Sequence, residues 1–158
     1  MGTVRIHKQE IVRRQLETAV ALFMEGHDRS SVITLAGAAI GILDSLARNA
    51  GKEPFRDYGR RVIHEKTGTM PKRDSYAHFI EDSFGITALK HLGKGEPDTV
   101  ELDLEKNAVK ALDLGIAEYR SVTGADEAFY MQYVHWRHAT DKSLLEAYEK
   151  LPARMKRK

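Results

Sequence analysis

The chain has 158 residues, of which 42% are hydrophobic and 30% are charged, so its size and composition are those of one soluble domain with a sizeable core. It contains no cysteine, which excludes disulfides, thiolate metal sites and a cysteine nucleophile. The formal net charge of +2 is unevenly spread: residues 1–14 carry +3 and residues 154–158 carry +4, which leaves −5 for residues 15–153. Electrostatic attraction to RNA is therefore expected mainly at the two ends.

The beginning of the chain, MGTVRIHKQEIVRR, lacks the apolar stretch and the small-residue cleavage site of a secretory signal. The longest apolar run, at 32–43, covers 12 residues and includes Thr34, Gly37 and Gly41. Because a membrane-spanning helix needs about 20 apolar residues, we expect no membrane span and a cytoplasmic protein.

Apolar side chains three and four residues apart predict a helix over 7–25, which ends at Gly26. A second helix, over 31–49, is predicted to begin at Ser30 or Ser31 as its cap. The short connection between them predicts an αα-hairpin, which is the first part of the predicted bundle.

The second helix is apolar nearly all round until Asp44, which is typical of a helix at the centre of a bundle. Gly37 and Gly41 lie four residues apart on it. Each costs about 1 kcal/mol of helix propensity relative to alanine, so we interpret both as positions where a neighbouring helix comes close.

The middle of the chain predicts a shorter helix from Phe55 to about Lys66 and a fourth helix over 74–91, which Gly85 kinks or divides. Five apolar residues are assigned to the inner side of the fourth helix: Tyr76, Phe79, Ile80, Leu89 and Leu92. A turn-rich and acidic connection follows it.

Residues 99–104 alternate polar and apolar side chains, but a single short strand has no partner, so they are interpreted as an extended lead-in. Asp103 is predicted to cap a helix that Gly124 ends. An aromatic-rich helix comes next and breaks near Thr140. A final amphipathic helix is predicted to carry Leu144, Leu145, Tyr148 and Leu151.

Six or seven helices joined by short links predict an all-α, up-and-down helical bundle. We expect a single domain over residues 1–152. The remaining residues, 153–158, form a basic tail that is predicted to be disordered.

Three stretches of the first hairpin, QLETA at 15–19, GHDRSS at 26–31 and LAGAA at 35–39, resemble the opening hairpin of the HEPN superfamily of helical bundles. Together with Lys90 and His91 they are also similar to small bacterial helical proteins that have a later Asn-x-x-x-Lys-His stretch. This resemblance covers about a third of the chain and implies an HEPN-like bundle.

The resemblance also implies a candidate catalytic pair. Active HEPN ribonucleases use an arginine followed about four to six residues later by a histidine, which supply a cation beside the scissile phosphate and an acid or base near the 2′-hydroxyl. Arg73 and His78 match this spacing, with Asp74 after the arginine. The alternative is a helix start that Asp74 caps, with a partly exposed His78.

Lys90 and His91 stand at the predicted end of the fourth helix. There, positive charge complements the carbonyl end of the helix dipole, and this explains both residues structurally. The functional alternative is a cleft in which they bind a phosphate, a nucleotide or another anion.

The aromatic helix supplies the first candidate for a self-association surface, since Tyr and Trp favour interfaces; the residues are Phe129, Tyr130, Tyr133 and Trp136. Core packing explains them equally well. His135 and His138 lie three residues apart and could share a metal ion, but no third ligand accompanies them, so no metal and no cofactor is predicted.

Because no complete catalytic constellation appears, the preferred hypothesis is a noncatalytic helical interaction protein that forms a homodimer. The alternative is a metal-independent HEPN-type ribonuclease or RNA-binding protein that uses Arg73 and His78, with Lys90 and His91 as further site residues. RNA or another protein is the expected partner in addition to a second copy of the chain.

Overall fold

The computed structural model describes residues 2–143, 146, 149 and 150. In this part of the chain every regular element is an α-helix, and the fold is an all-α helical bundle as predicted. The seven helices found there are α1 (Lys8–Met24), α2 (Arg29–Asn49), α3 (Phe55–Thr67), α4 (Arg73–Ser83), α5 (Ile86–Lys90), α6 (Leu104–Thr123) and α7 (Ala128–Thr140). Leu144, Leu145, Tyr148 and Leu151 of the predicted final helix, and the tail at 153–158, lie outside the described residues.

The first hairpin forms because each helix has a local start signal. The ring Nδ1 of His7 accepts a hydrogen bond from the Gln9 amide and caps α1. Asp28, and not Ser30 or Ser31, caps α2: its carboxylate accepts the amides of both serines at 3.2 and 2.8 Å. Hydrogen bonds from the two serines also hold the pKa of Asp28 well below its usual range.

The predicted fourth helix is two helices. α4 ends at Ser83, and Gly85 has a φ of 77°, a left-handed conformation that glycine adopts without strain, before α5 begins. Because α5 ends at Lys90, Leu92 lies beyond the helical part of the segment, and its side chain is 67% exposed. Its assignment to an inner face was therefore wrong.

Two further start and stop signals are confirmed at α6. The Asp103 carboxylate accepts the Lys106 amide at 3.0 Å, and Gly124 ends the helix in the left-handed conformation. Residues 99–103, which were interpreted as an extended lead-in, belong to no regular element.

The apolar core is built from α1, α2, α6 and α7, with Ile86 of α5. α2 packs against both α1 and α6, and α7 closes the group against α1. Neither α3 nor α4 contributes a fully buried residue. The molecule therefore has an apolar four-helix core and an outer pair of helices that is attached to it in another way.

α2 is the central helix of this core, and it is long and apolar enough to cross a membrane by length and composition alone. The expectation that no segment reaches that length was therefore wrong. Half of its most apolar window is buried within the bundle, as is usual for the core helix of a folded domain.

Gly37 and Gly41 of α2 have different surroundings. A Cβ atom at Gly37 would lie 2.9 Å from Cγ2 of Ile86, whose side chain is buried, whereas a Cβ at Gly41 would meet nothing within 4 Å. The interpretation of a close approach is confirmed for Gly37, where α5 is the neighbour, and was wrong for Gly41.

This difference predicts opposite effects of two alanine substitutions. Gly37→Ala costs about 1–3 kcal/mol of overpacking and recovers about 1 kcal/mol of helix propensity, so we expect a net loss in unfolding free energy of about 1 kcal/mol. Gly41→Ala gains the propensity alone, and we expect stabilisation by about 0.5–1 kcal/mol. Urea unfolding followed by circular dichroism measures both, and equal effects of the two substitutions would contradict the contact with α5.

Candidate functional site

Charged side chains from three helices surround Asp44 of α2, which is only 3% exposed. Its carboxylate accepts two hydrogen bonds from Nη2 of Arg73, at 2.9 and 3.0 Å. Nη2 of Arg48 lies 3.1 Å from it and Nε of Arg56 lies 3.4 Å from it. Cations from α2, α3 and α4 therefore converge on one buried carboxylate.

A second carboxylate extends this arrangement along α3. Asp57 lies 3.1 Å from Nε of Arg73 and 2.9 Å from Nη1 of Arg60. Although burial opposes it, hydrogen bonds from Arg60 and Arg73 hold the pKa of Asp57 below its usual value. The hydrogen bonds to Asp44 raise the pKa of Arg73. Asp57 and Arg73 therefore both stay charged.

A third carboxylate, that of Glu118 on α6, contacts the beginning of α3. It is 3% exposed, its Oε2 accepts the Phe55 amide at the start of α3 at 2.8 Å, and its Oε1 has no hydrogen-bond partner among the described residues. Burial raises the pKa of Glu118 to about 7, and the nearby negative charge of Asp44 acts in the same direction.

We call this set the charged cluster; its members are Asp44, Arg48, Arg56, Asp57, Arg60, Arg73 and Glu118. It joins α3 and α4 to the core helices α2 and α6 through hydrogen bonds and ion pairs in place of apolar burial. Its chemistry is that of a structural anchor, because each guanidinium in it already faces a carboxylate.

The structure separates the predicted catalytic pair. The Arg73 guanidinium belongs to the charged cluster, while His78 is exposed on α4. Five residues of an α-helix turn through about 140°, so the two side chains leave the helix in different directions. Lys72 is the N-cap of α4 and Asp74 lies in its first turn, so the capping role given to Asp74 was wrong.

Lys90 and His91 lie where the sequence placed them, at the end of a helix. Lys90 is the last residue of α5, His91 is its C-cap, and both side chains are exposed. This position agrees with the explanation by the helix dipole.

The structure places the aromatic residues of α7 against the core. Tyr130 and Tyr133 are fully buried, and the Tyr133 hydroxyl donates to Asp113 of α6 at 2.7 Å. Within one chain these two side chains offer no surface for self-association, so core packing is their role. Phe129 and Trp136 are partly buried against the same core.

His135 is exposed and His138 is half-buried on α7. Within the described part of the chain, no group of three or more histidine, aspartate or glutamate side chains is arranged to hold a metal ion. The two histidines therefore have no further ligand there.

The outer face of α4 was missed by the sequence analysis. Phe79, which was assigned to the inner side, is 63% exposed, and its ring stacks against that of Tyr76 at a centroid distance of 6.2 Å. Lys72, Ser75 and Asp82 are exposed as well. Which face of α4 points outward would have been predictable only if Arg73 had been recognised as an inward-facing residue that binds Asp44.

Comparisons with protein-family models, with curated proteins and with solved structures find no match to this chain. The resemblance to the HEPN superfamily therefore stays a prediction, and functional inference depends on the geometry described above.

Proposed function

We propose that this protein is a noncatalytic helical interaction protein that acts as a homodimer, with its contact surface on α3 and α4. The observation that carries the proposal is the mismatch between the apolar content of these two helices and their burial. Neither helix has a fully buried residue, although together they carry seven large apolar or aromatic side chains: Phe55, Tyr58, Val62, Ile63, Tyr76, Phe79 and Ile80.

Six of these side chains are half-buried and Phe79 is exposed. Apolar surface that a fold leaves accessible is typical of protein interaction sites. Phe79 is the most exposed large apolar residue of the two helices, at 63%, and aromatic side chains are favoured at the centre of interfaces. A second copy that covers Phe79 would complete the burial that the bundle leaves unfinished.

The charged cluster supports the same proposal because it fixes the position of the surface. Arg56 and Arg73 attach α3 and α4 to Asp44 of the core, so the two helices are held in place before a partner arrives. A surface that is already ordered loses less conformational entropy on binding.

The noncatalytic part of the proposal is supported by the use that the fold makes of Arg73. Its guanidinium donates to Asp44 and Asp57 together. Phosphate binding by this side chain would have to break contacts to a buried carboxylate, at a cost of several kcal/mol.

Light scattering coupled to size-exclusion chromatography, over a series from low to high micromolar protein, tests self-association. We expect the wild type to dimerise and Phe79→Ser to weaken the dimer by about tenfold or more, because burial of one phenylalanine contributes about 1.5–3 kcal/mol. Val100→Ser is the matched control, since Val100 is 57% exposed on the loop before α6, and it should leave the dimer unchanged.

A wild type that stays monomeric at high micromolar concentration would contradict the proposal. In the same preparations, RNA without added metal should remain intact. Cleavage by the wild type that is lost in His78→Ala, with helicity unchanged, would overturn the noncatalytic part.

A further inference from the structure

The exposed face of α4 has a pattern that specifies how a second copy fits. Lys72, Ser75, Phe79 and Asp82 follow one another at spacings of three, four and three residues, and all four are exposed. On an α-helix this spacing places Ser75, Phe79 and Asp82 in one stripe, and Lys72, the N-cap of α4, lies at its beginning. The stripe reads basic, small, aromatic, acidic from the beginning of the helix to its end.

Both charges of the stripe stand at the unfavourable end of the helix. Lys72 is the N-cap and Asp82 lies in the last turn, whereas the helix dipole favours negative charge at the beginning and positive charge at the end. Neither side chain forms an ion pair within the part of the chain that the structure describes. Within the described part of one copy, the two charges therefore oppose the dipole with no compensating ion pair.

An antiparallel second copy of α4 would supply the missing contacts. When two copies of one helix pack antiparallel about a two-fold axis, the residue numbers at facing positions always add up to the same total. The numbers of Lys72 and Asp82 add up to the same total as those of Ser75 and Phe79, so both pairs can face each other in one arrangement. Lys72 then faces Asp82 of the second copy, and the small Ser75 leaves room for its Phe79 ring. Each contact occurs twice, as an isologous interface requires.

We infer that two copies of this chain associate through antiparallel α4 helices, with Lys72 of each copy paired to Asp82 of the other and the two Phe79 rings packed beside Ser75. This inference rests on the proposed self-association and specifies its geometry. The stacking of Phe79 on Tyr76 holds the ring in the stripe and limits the entropy that it loses on binding.

The size of the contact sets the expected strength. α4 has 11 residues, so the stripe is about 16 Å long, and one helix pair of this length buries less surface than a standard stable interface. The dimer is therefore weak and depends on concentration, and the exposed ion pairs make it weaker at high salt.

Charge reversal tests the arrangement. Lys72→Glu and Asp82→Lys should each weaken the dimer by about fivefold or more, because both ion pairs become repulsive contacts. An equimolar mixture of the two variants should associate as well as the wild type, since each variant then meets its complement. Sedimentation equilibrium of the wild type, the two variants and the mixture measures all four constants.

We do not expect these variants to lose association through unfolding of α4. Glutamate at position 72 and lysine at position 82 both agree with the helix dipole, so thermal unfolding of each monomer should be unchanged or slightly improved. Glu101→Lys, on the exposed loop before α6, is the control for a change in net charge.

The possible results separate the two proposals. A wild-type dimer that neither reversal weakens, or that the mixture does not restore, would overturn the antiparallel α4 arrangement and leave self-association standing. A wild type that is monomeric at every concentration would overturn both.

Discussion

Replacement of Asp44 by alanine is expected to lower the free energy of unfolding by about 3–5 kcal/mol, the usual cost of removing one partner from a buried ion pair. Asp44 is the carboxylate on which Arg48, Arg56 and Arg73 converge. Its removal leaves Arg56, whose side chain is only 11% exposed, beside Arg73 with no anion between them.

The three arginines do not lose the same amount of stabilisation when Asp44 is removed. The side chain of Arg48 is half exposed and returns to water, and Arg73 keeps its contact with Asp57. Among the described residues, Arg56 keeps only a 3.5 Å contact with Glu81, so most of the loss comes from this one guanidinium. This places the expected value at the lower end of the range.

Asp44→Asn separates charge from shape and from helix propensity, because Asn and Asp have similar propensities. We expect it to cost nearly as much as Asp44→Ala in urea unfolding at neutral pH. The control is Glu101→Ala, an exposed substitution that should stay within about 0.5 kcal/mol of the wild type. A loss below about 1 kcal/mol in both Asp44 variants would show that the charged cluster does not anchor α3 and α4.

Glu118→Gln is expected to stabilise the protein at pH 8 and to have little effect below pH 4.5. The pKa of Glu118 is raised by burial from 4.5 to about 7 in the folded state, so the folded state binds more protons than the unfolded state between these two values. The stability that Glu118 contributes is therefore fully present below pH 4.5, its pKa in the unfolded state, and it is lost as the pH rises through about 7, its pKa in the folded state.

The magnitude follows from the size of the shift. One pKa unit corresponds to about 1.4 kcal/mol, so the advantage of the variant should grow by about 2–3 kcal/mol between pH 5 and pH 8. Glutamine keeps an oxygen that can accept the Phe55 amide, and it removes only the charge. Urea unfolding of both proteins at several pH values measures this, with Glu101→Gln as the exposed control, and a difference that does not change with pH would contradict the raised pKa.

The helices of the core were predictable because their signals are local. Val12, Leu16 and Phe23 repeat at helical spacing in α1, and Asp103 and Gly124 mark the two ends of α6 within a few residues of it. The division at Gly85 was also visible as an alternative, although only the fold could decide between a kink and a break.

The candidate site was less predictable because its partners lie far apart in the sequence. In the sequence, Asp44 looks like a polar residue at the end of an apolar helix. Arg56 and Arg73 follow it by 12 and 29 residues, and no pattern near Asp44 indicates that they bind it. The same contact orients α4, so it decides that Phe79 faces outward. Side chains that are positioned by long-range ion pairs do not follow the apolar periodicity on which sequence analysis depends.

The attachment of α3 and α4 by charge also has a consequence for cooperativity. The core of α1, α2, α6 and α7 is one continuous apolar cluster, whereas the outer pair is held mainly by the charged cluster and contributes no fully buried residue. Local opening of α3 and α4 therefore exposes none of their side chains from full burial, and it requires less free energy than global unfolding. The helices that carry the proposed contact surface are thus the part of the bundle that can open while the rest stays folded.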